Sequence, residues 1–440
     1  MPIRGLKRDL AAIAVLAALA LLFFWPVTMG GRTMLPVDSV YAWEPWRSTA
    51  GAEGVGVAHN SLVLDLYLQN YAWKSFIVDC LRAGELPLWN PYILSGVPFL
   101  AGGQHSAMYP LSTVFYVLPL EAAYGWFAAL HVFLAGAFTY ILARTLRVSR
   151  AGSLIAGAAF SFGGFMVIRN VFPMIVAAAV WLPLILAVVE VTVRRAEEGA
   201  PSPMGAIPLL AVGAAALGMV LLAGHPEMYY YVALTTAAYS LWRLAGLWRR
   251  RRSWRRSALV AAGLLGMGVV GLGLGAAQWV PLLDLVRHNF REGSASFAEV
   301  LGWAYPPRRA ISLLIPDFFG NPAHHSYLDL FTWQRVDVSV NALGDRIDTI
   351  YWGIKNYVEG AAYVGILPLL LAAVAVLRRQ GRRWGFFALL AALSLAFVFG
   401  SRLYWLVFRL PGLNQVHSPF RWVYLYTLSV AMLAGMGADA

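Results

Sequence analysis

Apolar residues arrive in long runs from one end of the chain to the other, separated by short polar or basic breaks. The runs fit 11–25, 121–143, 151–168, 173–193, 205–223, 228–247, 258–280, 361–378, 384–400 and 422–438. Each is close to the roughly 20 residues that an α-helix needs to cross a hydrocarbon core of about 30 Å. The pattern predicts an all-α integral membrane protein, a multi-span helical bundle of about ten transmembrane helices. It forms a single polytopic membrane domain over 1–440. Two stretches, 29–106 and 281–360, stand outside the runs and read as long loops. The segment 106–119 is apolar but short for a span, which suits a re-entrant or interfacial piece.

Inside the first loop the period changes. Asp65, Gln69, Ala72, Ser75, Asp79 and Arg82 recur at spacings of three and four, and Leu62, Leu66, Trp73, Ile77 and Leu81 form a second stripe. Two such stripes predict an amphipathic helix over 61–83, capped by Asn60 or Ser61 and stopped by Gly84 and Pro87. Its aromatic content and its place beside the first span put it along the membrane surface. Asp65 falls in its first turn, where the positive helix end favours an ionised carboxylate.

Composition agrees with the membrane reading: 60% of residues are hydrophobic and 13% charged, against about a quarter charged in a soluble chain. The net charge of +12 is carried by short basic clusters between the runs. They are Arg4, Lys7 and Arg8; Arg144, Arg147 and Arg150; Arg194 and Arg195; Arg243 with Arg249, Arg250, Arg251, Arg252, Arg255 and Arg256; and Arg378, Arg379, Arg382 and Arg383. Short Lys/Arg-rich loops stay cytoplasmic, so the charge reports topology and implies no nucleic-acid partner. Alternating spans from a cytoplasmic N-terminus place every cluster inside and both long loops outside. The first run lacks a small-residue cleavage site and reads as an uncleaved span. Most acidic residues fall in the two outer loops, so any chemistry is expected at the outer face. Cys80 stands alone, which excludes an intrachain disulfide and a cysteine metal site. No phosphate loop or dinucleotide-binding glycine motif is present.

The first loop carries D-L-Y-L-Q-N-Y-x-W from Asp65, G-E-L-P-L-W-N-P-Y-x-x-x-G-x-P from Gly84 and Q-H-S-A-M-Y-P-L from Gln104. Further strings are LLAGHPEMYYY at 221–231, AAQWVPLLDLVRHNFR at 276–291 and IPDFFGN at 315–321. YVGILPLLL at 363–371 and SPFRWVYLYTLSVAMLAGMG at 418–437 complete the set. Together, and in this order, they resemble the bacterial YfhO membrane-protein family, which is similar to the GT-C class of integral membrane glycosyltransferases. The resemblance implies a helical bundle in the bacterial plasma membrane with its active site on the outer face. It also implies a polyprenyl-phosphate-linked sugar donor and a cell-envelope glycan or polymer acceptor. Members of the family are commonly longer, so the chain is expected to be a short relative or a truncated one. In GT-C enzymes an Asp of the first outer loop is the usual catalytic acid residue. Asp38, directly after the first span, and Asp65, in the D-x-x-x-Q-x-Y pattern, are the two positions that match.

Sugar transfer from a lipid phosphate needs a base for the acceptor hydroxyl, groups that offset charge on the leaving phosphate, and an apolar path for the lipid tail. Asp65 or Asp38 is the candidate base; either could instead hold a divalent cation such as Mg or Mn. The planar forks of Arg421 and Arg169 suit phosphate, or else snorkel at the interface. His225 and Glu227, in the turn AGHPEMYY, and His105 either touch substrate or serve as turn residues. Trp89 and Asn90, with Tyr92, offer a stacking and hydrogen-bonding surface for sugar, or pack the loop. The adjacent His324 and His325 point apart and form no metal pair. Two other functions stay open, a transporter or flippase for lipid-linked intermediates and a non-catalytic envelope-assembly partner. Transport predicts ionisable positions near mid-membrane, where the predicted spans carry almost none.

Overall fold

The apolar runs fold into helices that pack around two buried ones. The computed structural model describes residues 3–55, 63–199, 203–288, 295–321, 326–328, 332–337, 351–352, 355–381, 383–410 and 419–440. The suggested caps Asn60 and Ser61, and the pair His324 and His325, lie outside them. The longer helices are α1 (Ile3–Phe23), α2 (Ala72–Arg82), α3 (Leu120–Thr145), α4 (Arg150–Ser161), α5 (Leu182–Glu197) and α6 (Ile207–Leu222). They continue with α7 (Pro226–Arg251), α8 (Trp254–Leu274), α9 (Ala276–Arg287), α10 (Ile366–Leu377), α11 (Trp384–Val398) and α12 (Val423–Gly437). The described strands form three short antiparallel hairpins, one of which pairs Trp89–Asn90 with Val97–Pro98.

Every residue of α12 is buried, because α4, α10 and α11 pack against it from different sides. Small residues permit the closest approaches. A Cβ on Gly435 would stand 2.5 Å from the Gly152 carbonyl of α4, and one on Gly437 would collide with the Leu371 carbonyl of α10. Helix α5 is the second centre, packed on α3, α6 and α7.

Three helical stretches are long and apolar enough to cross a membrane: Leu120–Thr145, Pro173–Glu197 and Trp254–Leu274. The number rises to five if each of two bent pairs counts as one span, Arg150–Ser161 with Gly164–Val171 (42°) and Trp384–Val398 with Arg402–Phe408 (102°). Apolar runs predicted about ten by length alone; several are helices that fall short. Helices α6 and α10 have 16 and 12 residues, and α12 has 15 and is enclosed by protein along its length. An apolar run buried in a bundle looks the same in sequence as one facing lipid.

Several of the basic residues read as topology markers, Arg144, Arg147, Arg150, Arg243 and Arg383, are held in ion pairs. Asp9 of α1 accepts from Arg144 at 3.2 Å, Arg150 at 2.9 Å and the Tyr140 hydroxyl at 2.7 Å, joining α1 to α3 and α4. Glu190 of α5 accepts from Arg243 at 2.5 Å and Tyr239 at 2.8 Å. Arg243 also grips Glu197 bidentately at 3.0 and 3.1 Å, and Arg383 reaches Glu190 at 3.5 Å. Glu190 and Arg243 are both fully buried, close to the ends of the predicted runs 173–193 and 228–247. A charge survives there because its partner is buried with it.

The amphipathic helix forms, with a difference. Leu66–Tyr71 is a π-helical turn that leads into α2. The wider turn has more residues per rotation, so the buried face runs Leu66, Asn70, Lys74, Ile77. Lys74 takes the inward slot that an α-helical period assigns to Trp73, and Leu81 is left 40% exposed.

Candidate functional site

At the end of α7 opposite its arginine-rich terminus, four segments distant in sequence meet. The first is the corner after α4, where helix Gly164–Ile168 passes into a 3-10 turn, Arg169–Val171. The Gly164 N–H donates to the Tyr363 carbonyl at 2.8 Å, docking this corner on the segment that carries Glu359. The other two are the start of α7 and the turn Pro419–Trp422 that enters α12.

Glu359 is the hub. Arg169, 1% exposed, donates through Nη2 to the Glu359 carboxylate at 2.7 Å and to its backbone carbonyl at 3.0 Å. Arg421 donates to both oxygens of Glu359 at 3.3 and 3.4 Å, and through Nη1 to Glu227. Glu227 in turn accepts from the Tyr231 hydroxyl at 2.6 Å. Burial alone would raise the Glu359 carboxyl, but the charges of Arg169 and Arg421 outweigh it and hold that group far below the usual carboxylate range. Burial likewise opposes the charge of Arg421, and Glu227 and Glu359 overcome it, raising its pKa. Nη1 of Arg169 is buried with no hydrogen-bond partner among the described residues.

The structure thus brings together Arg169, His225, Glu227 and Arg421. His225 caps α7, its Nδ1 accepting from the Met228 N–H at 3.3 Å. That bond leaves the ring proton on Nε2. Burial first, then the nearby charges of Arg421 and Arg169, push its pKa down to about 3, so it stays neutral and is no proton donor near pH 7. Glu359 was legible only as one outer-loop acid among many. The signal for it is the need of Arg169 and Arg421 for a counter-charge in otherwise uncharged turns.

Beside the network lies a cavity of about 140 Å³ lined by Tyr305, Arg309, Tyr357 and Gly360. Arg309 is 5% exposed, with its guanidinium 5.1 Å from the centre of the Tyr305 ring. Burial lowers its pKa to about 10, so it remains a cation. The Tyr357 hydroxyl donates to Asp317 at 2.7 Å, which gives the IPDFFGN string a place in the cavity wall.

The first-loop candidates are dispersed. Asp65 is exposed and accepts from Gln69 at 3.2 Å. Asp38 is half-buried in the 3-10 turn Val37–Ala42. Trp89 is 55% exposed and its ring covers Gly96, where a Cβ would stand 2.5 Å from the indole nitrogen. Asn90 is buried and its Oδ1 accepts from the Tyr92 N–H at 2.9 Å, shaping the turn. His105 is buried, stacked on Phe99 at 4.2 Å. Its Nδ1 accepts from the Ala107 N–H at 3.0 Å, which leaves Nε2 to donate to the Phe99 carbonyl at 2.8 Å. Burial takes its pKa down to about 4. Both ring nitrogens are engaged, which makes His105 a packing residue in this conformation. Lys74, which the periodicity hid, donates to the His105 carbonyl at 2.7 Å and to Ser112 at 3.4 Å. The loop meets the network's turn through Ser106, whose hydroxyl donates to the Ala223 carbonyl at 2.7 Å.

Among the described residues no group of three or more His, Cys, Asp or Glu side chains could hold a metal ion. A groove of about 480 Å³ runs between α7 and α8, lined from Tyr229 to Leu244 on α7 and from Ala261 to Leu272 on α8, almost all apolar. No family model, curated protein or solved structure matches this chain.

Proposed function

We propose that the chain is a membrane glycosyltransferase of the GT-C kind. It moves a sugar from a polyprenyl-phosphate donor to a cell-envelope acceptor at the outer face of the bacterial plasma membrane. The reading carries with it about ten spans, some of them short and enclosed by protein, and a cytoplasmic N-terminus. Its support in sequence is the ordered resemblance to the YfhO family.

The observation that carries the reading is that the α7–α8 groove reaches the end of α7 at which the charged network sits. The groove begins at Tyr229, two residues after Glu227. From there to Leu244 it follows α7 for about 22 Å, at roughly 1.5 Å per residue. A lipid tail lying in it would bring its phosphate to the level along α7 of the turn that holds Glu227 and Arg421. Donors stand at that end: the unpartnered Nη1 of Arg169 and the Arg309 cavity. The outer wall of α8 suits lipid contact, with Leu265 71% and Val269 68% exposed.

Asp65 or Asp38 then serves as base on the acceptor hydroxyl, or would hold a Mg or Mn ion, which would offset the charge growing on the leaving phosphate. A second reading, transport of lipid-linked intermediates, has less support, because it needs ionisable groups near mid-membrane and the buried Glu190–Arg243 pair lies near the ends of the predicted runs 173–193 and 228–247. Proteoliposomes given a polyprenyl-phosphate sugar separate the two. Asp65→Asn or Asp38→Asn is expected to reduce transfer by about 100-fold or more at equal protein abundance. Full transfer in both variants would end the aspartate-base reading, and donor crossing without transfer would establish transport.

A further inference from the structure

A second cleft, of about 470 Å³, opens beneath α2, against the segment that turns at Pro119 into α3. Tyr71, Asp79 and Arg82 line one side and Glu121 the other. Its volume falls within the roughly 300–1,000 Å³ of ligand pockets, and no residue of the Arg169–Glu359–Arg421–Glu227 network lines it.

Its polar groups are available to a guest. The Tyr71 hydroxyl stands 3.5 Å from Glu121 Oε1, at the limit of a hydrogen bond. Asp79 and Arg82 are 4.0 Å apart with side chains 68% and 79% exposed. Two carboxylates against one guanidinium make the cleft repel phosphate and accept hydroxyl protons. The Tyr71 ring adds an apolar face of the sort that the C–H side of a pyranose covers. The rim is apolar: Val117 is 78% and Leu118 39% exposed, immediately before α3, which is long enough to cross a bilayer. The cleft therefore opens where hydrocarbon gives way to water.

We propose that this cleft holds the neutral, hydroxyl-rich headgroup of a membrane-anchored glycolipid, and that this glycolipid is the acceptor. The inference rests on the transferase reading. In the reaction a headgroup hydroxyl oxygen bonds to the donor's anomeric carbon and its proton passes to the base. The bond from that carbon to the phosphate oxygen breaks, and polyprenyl phosphate leaves with the electron pair.

The test uses the full chain in phosphatidylcholine nanodiscs. These are titrated with a diglucosyl-diacylglycerol and, separately, with phosphatidylglycerol, bound lipid being read by native mass spectrometry. The wild type is expected to favour the glycolipid. Tyr71→Phe combined with Glu121→Gln should weaken that binding about tenfold, with phosphatidylglycerol binding and melting temperature unchanged. Equal binding of the two lipids by the wild type, or undiminished glycolipid binding in the double variant, overturns the proposal. Transfer from a polyprenyl donor is measured alongside. Selective glycolipid binding without any transfer would retire the transferase reading and the acceptor role while leaving a headgroup site. Transfer to a soluble oligosaccharide as fast as to the glycolipid would keep the transferase and overturn the acceptor assignment.

Discussion

Glu359→Gln tests the network at its hub. The substitution keeps size and one acceptor oxygen but removes the charge that faces Arg169, whose side chain is 1% exposed, and Arg421, at 20%. Breaking a buried pair from one side costs about 3–5 kcal/mol, because the partner is left uncompensated. Two arginines lose a partner here, but Arg421 keeps Glu227 and Glu359 is itself 13% exposed, so the single-pair range is the expectation. With an unfolding entropy of about 2.1 cal/mol/K per residue, that is about 3–5 °C in melting temperature for a chain of this size. The assay is thermal unfolding of purified protein in detergent, with Glu198→Gln as control, since its pair with Arg147 is more than half exposed on both sides and should hardly matter. The dependence on pH has a definite sign. A carboxyl whose folded pKa is depressed contributes stability above its unfolded value, about 4.3, and loses it as pH falls further. The gap between wild type and Glu359→Gln should therefore be constant from pH 6 to 8 and close below about pH 4. A variant melting within 1 °C of wild type at pH 7, or a gap that widens in acid, would refute the argument (threshold set at roughly the 1 kcal/mol level).

Lys74→Met should change the pH profile in the same sense as Glu359→Gln but in an alkaline window. The Lys74 pKa is lowered to about 7 by burial, so the folded chain holds fewer protons than the unfolded one between that value and about 10.4. Wild-type stability then rises with pH across that window, and the melting temperature of the variant relative to wild type should be highest at or below pH 7 and fall towards pH 10; a pH-independent difference would refute the assignment. Gly360→Ala puts a methyl group onto the Tyr305 hydroxyl, 1.5 Å from the new carbon, and should cost about 1–3 kcal/mol in thermal unfolding. His225→Ala removes a cap and should lower stability by about 1 kcal/mol; because the imidazole is neutral throughout, activity between pH 5 and 8 should keep its profile, and a lost inflection near pH 6.5 would contradict its place as a cap.

The dispersal of the site residues follows from what a sequence encodes locally. Arg169 and Arg421 stood out because a lone cation beside an apolar run is costly, and the structure sets both on Glu359, which nothing local distinguished from Asp317 or Asp284. Lys74 was hidden because its inward turn depends on the π-helical segment before it, and period arguments assume 3.6 residues throughout. His105 reads alike as a ligand or as a packing group until the partners of its two nitrogens are known.

By itself the sequence determined the helical class, the positions of the principal helices, the clustering of basic residues between them and the amphipathic character of α2. Each follows from short-range periodicity and from the cost of placing charge in an apolar run. Tertiary structure alone decided that α12 is a core helix, that Glu359 joins two arginines 252 positions apart (421 − 169), and that a groove lies between α7 and α8. Those depend on which faces meet, and burial against protein and burial against lipid ask for the same apolar residues.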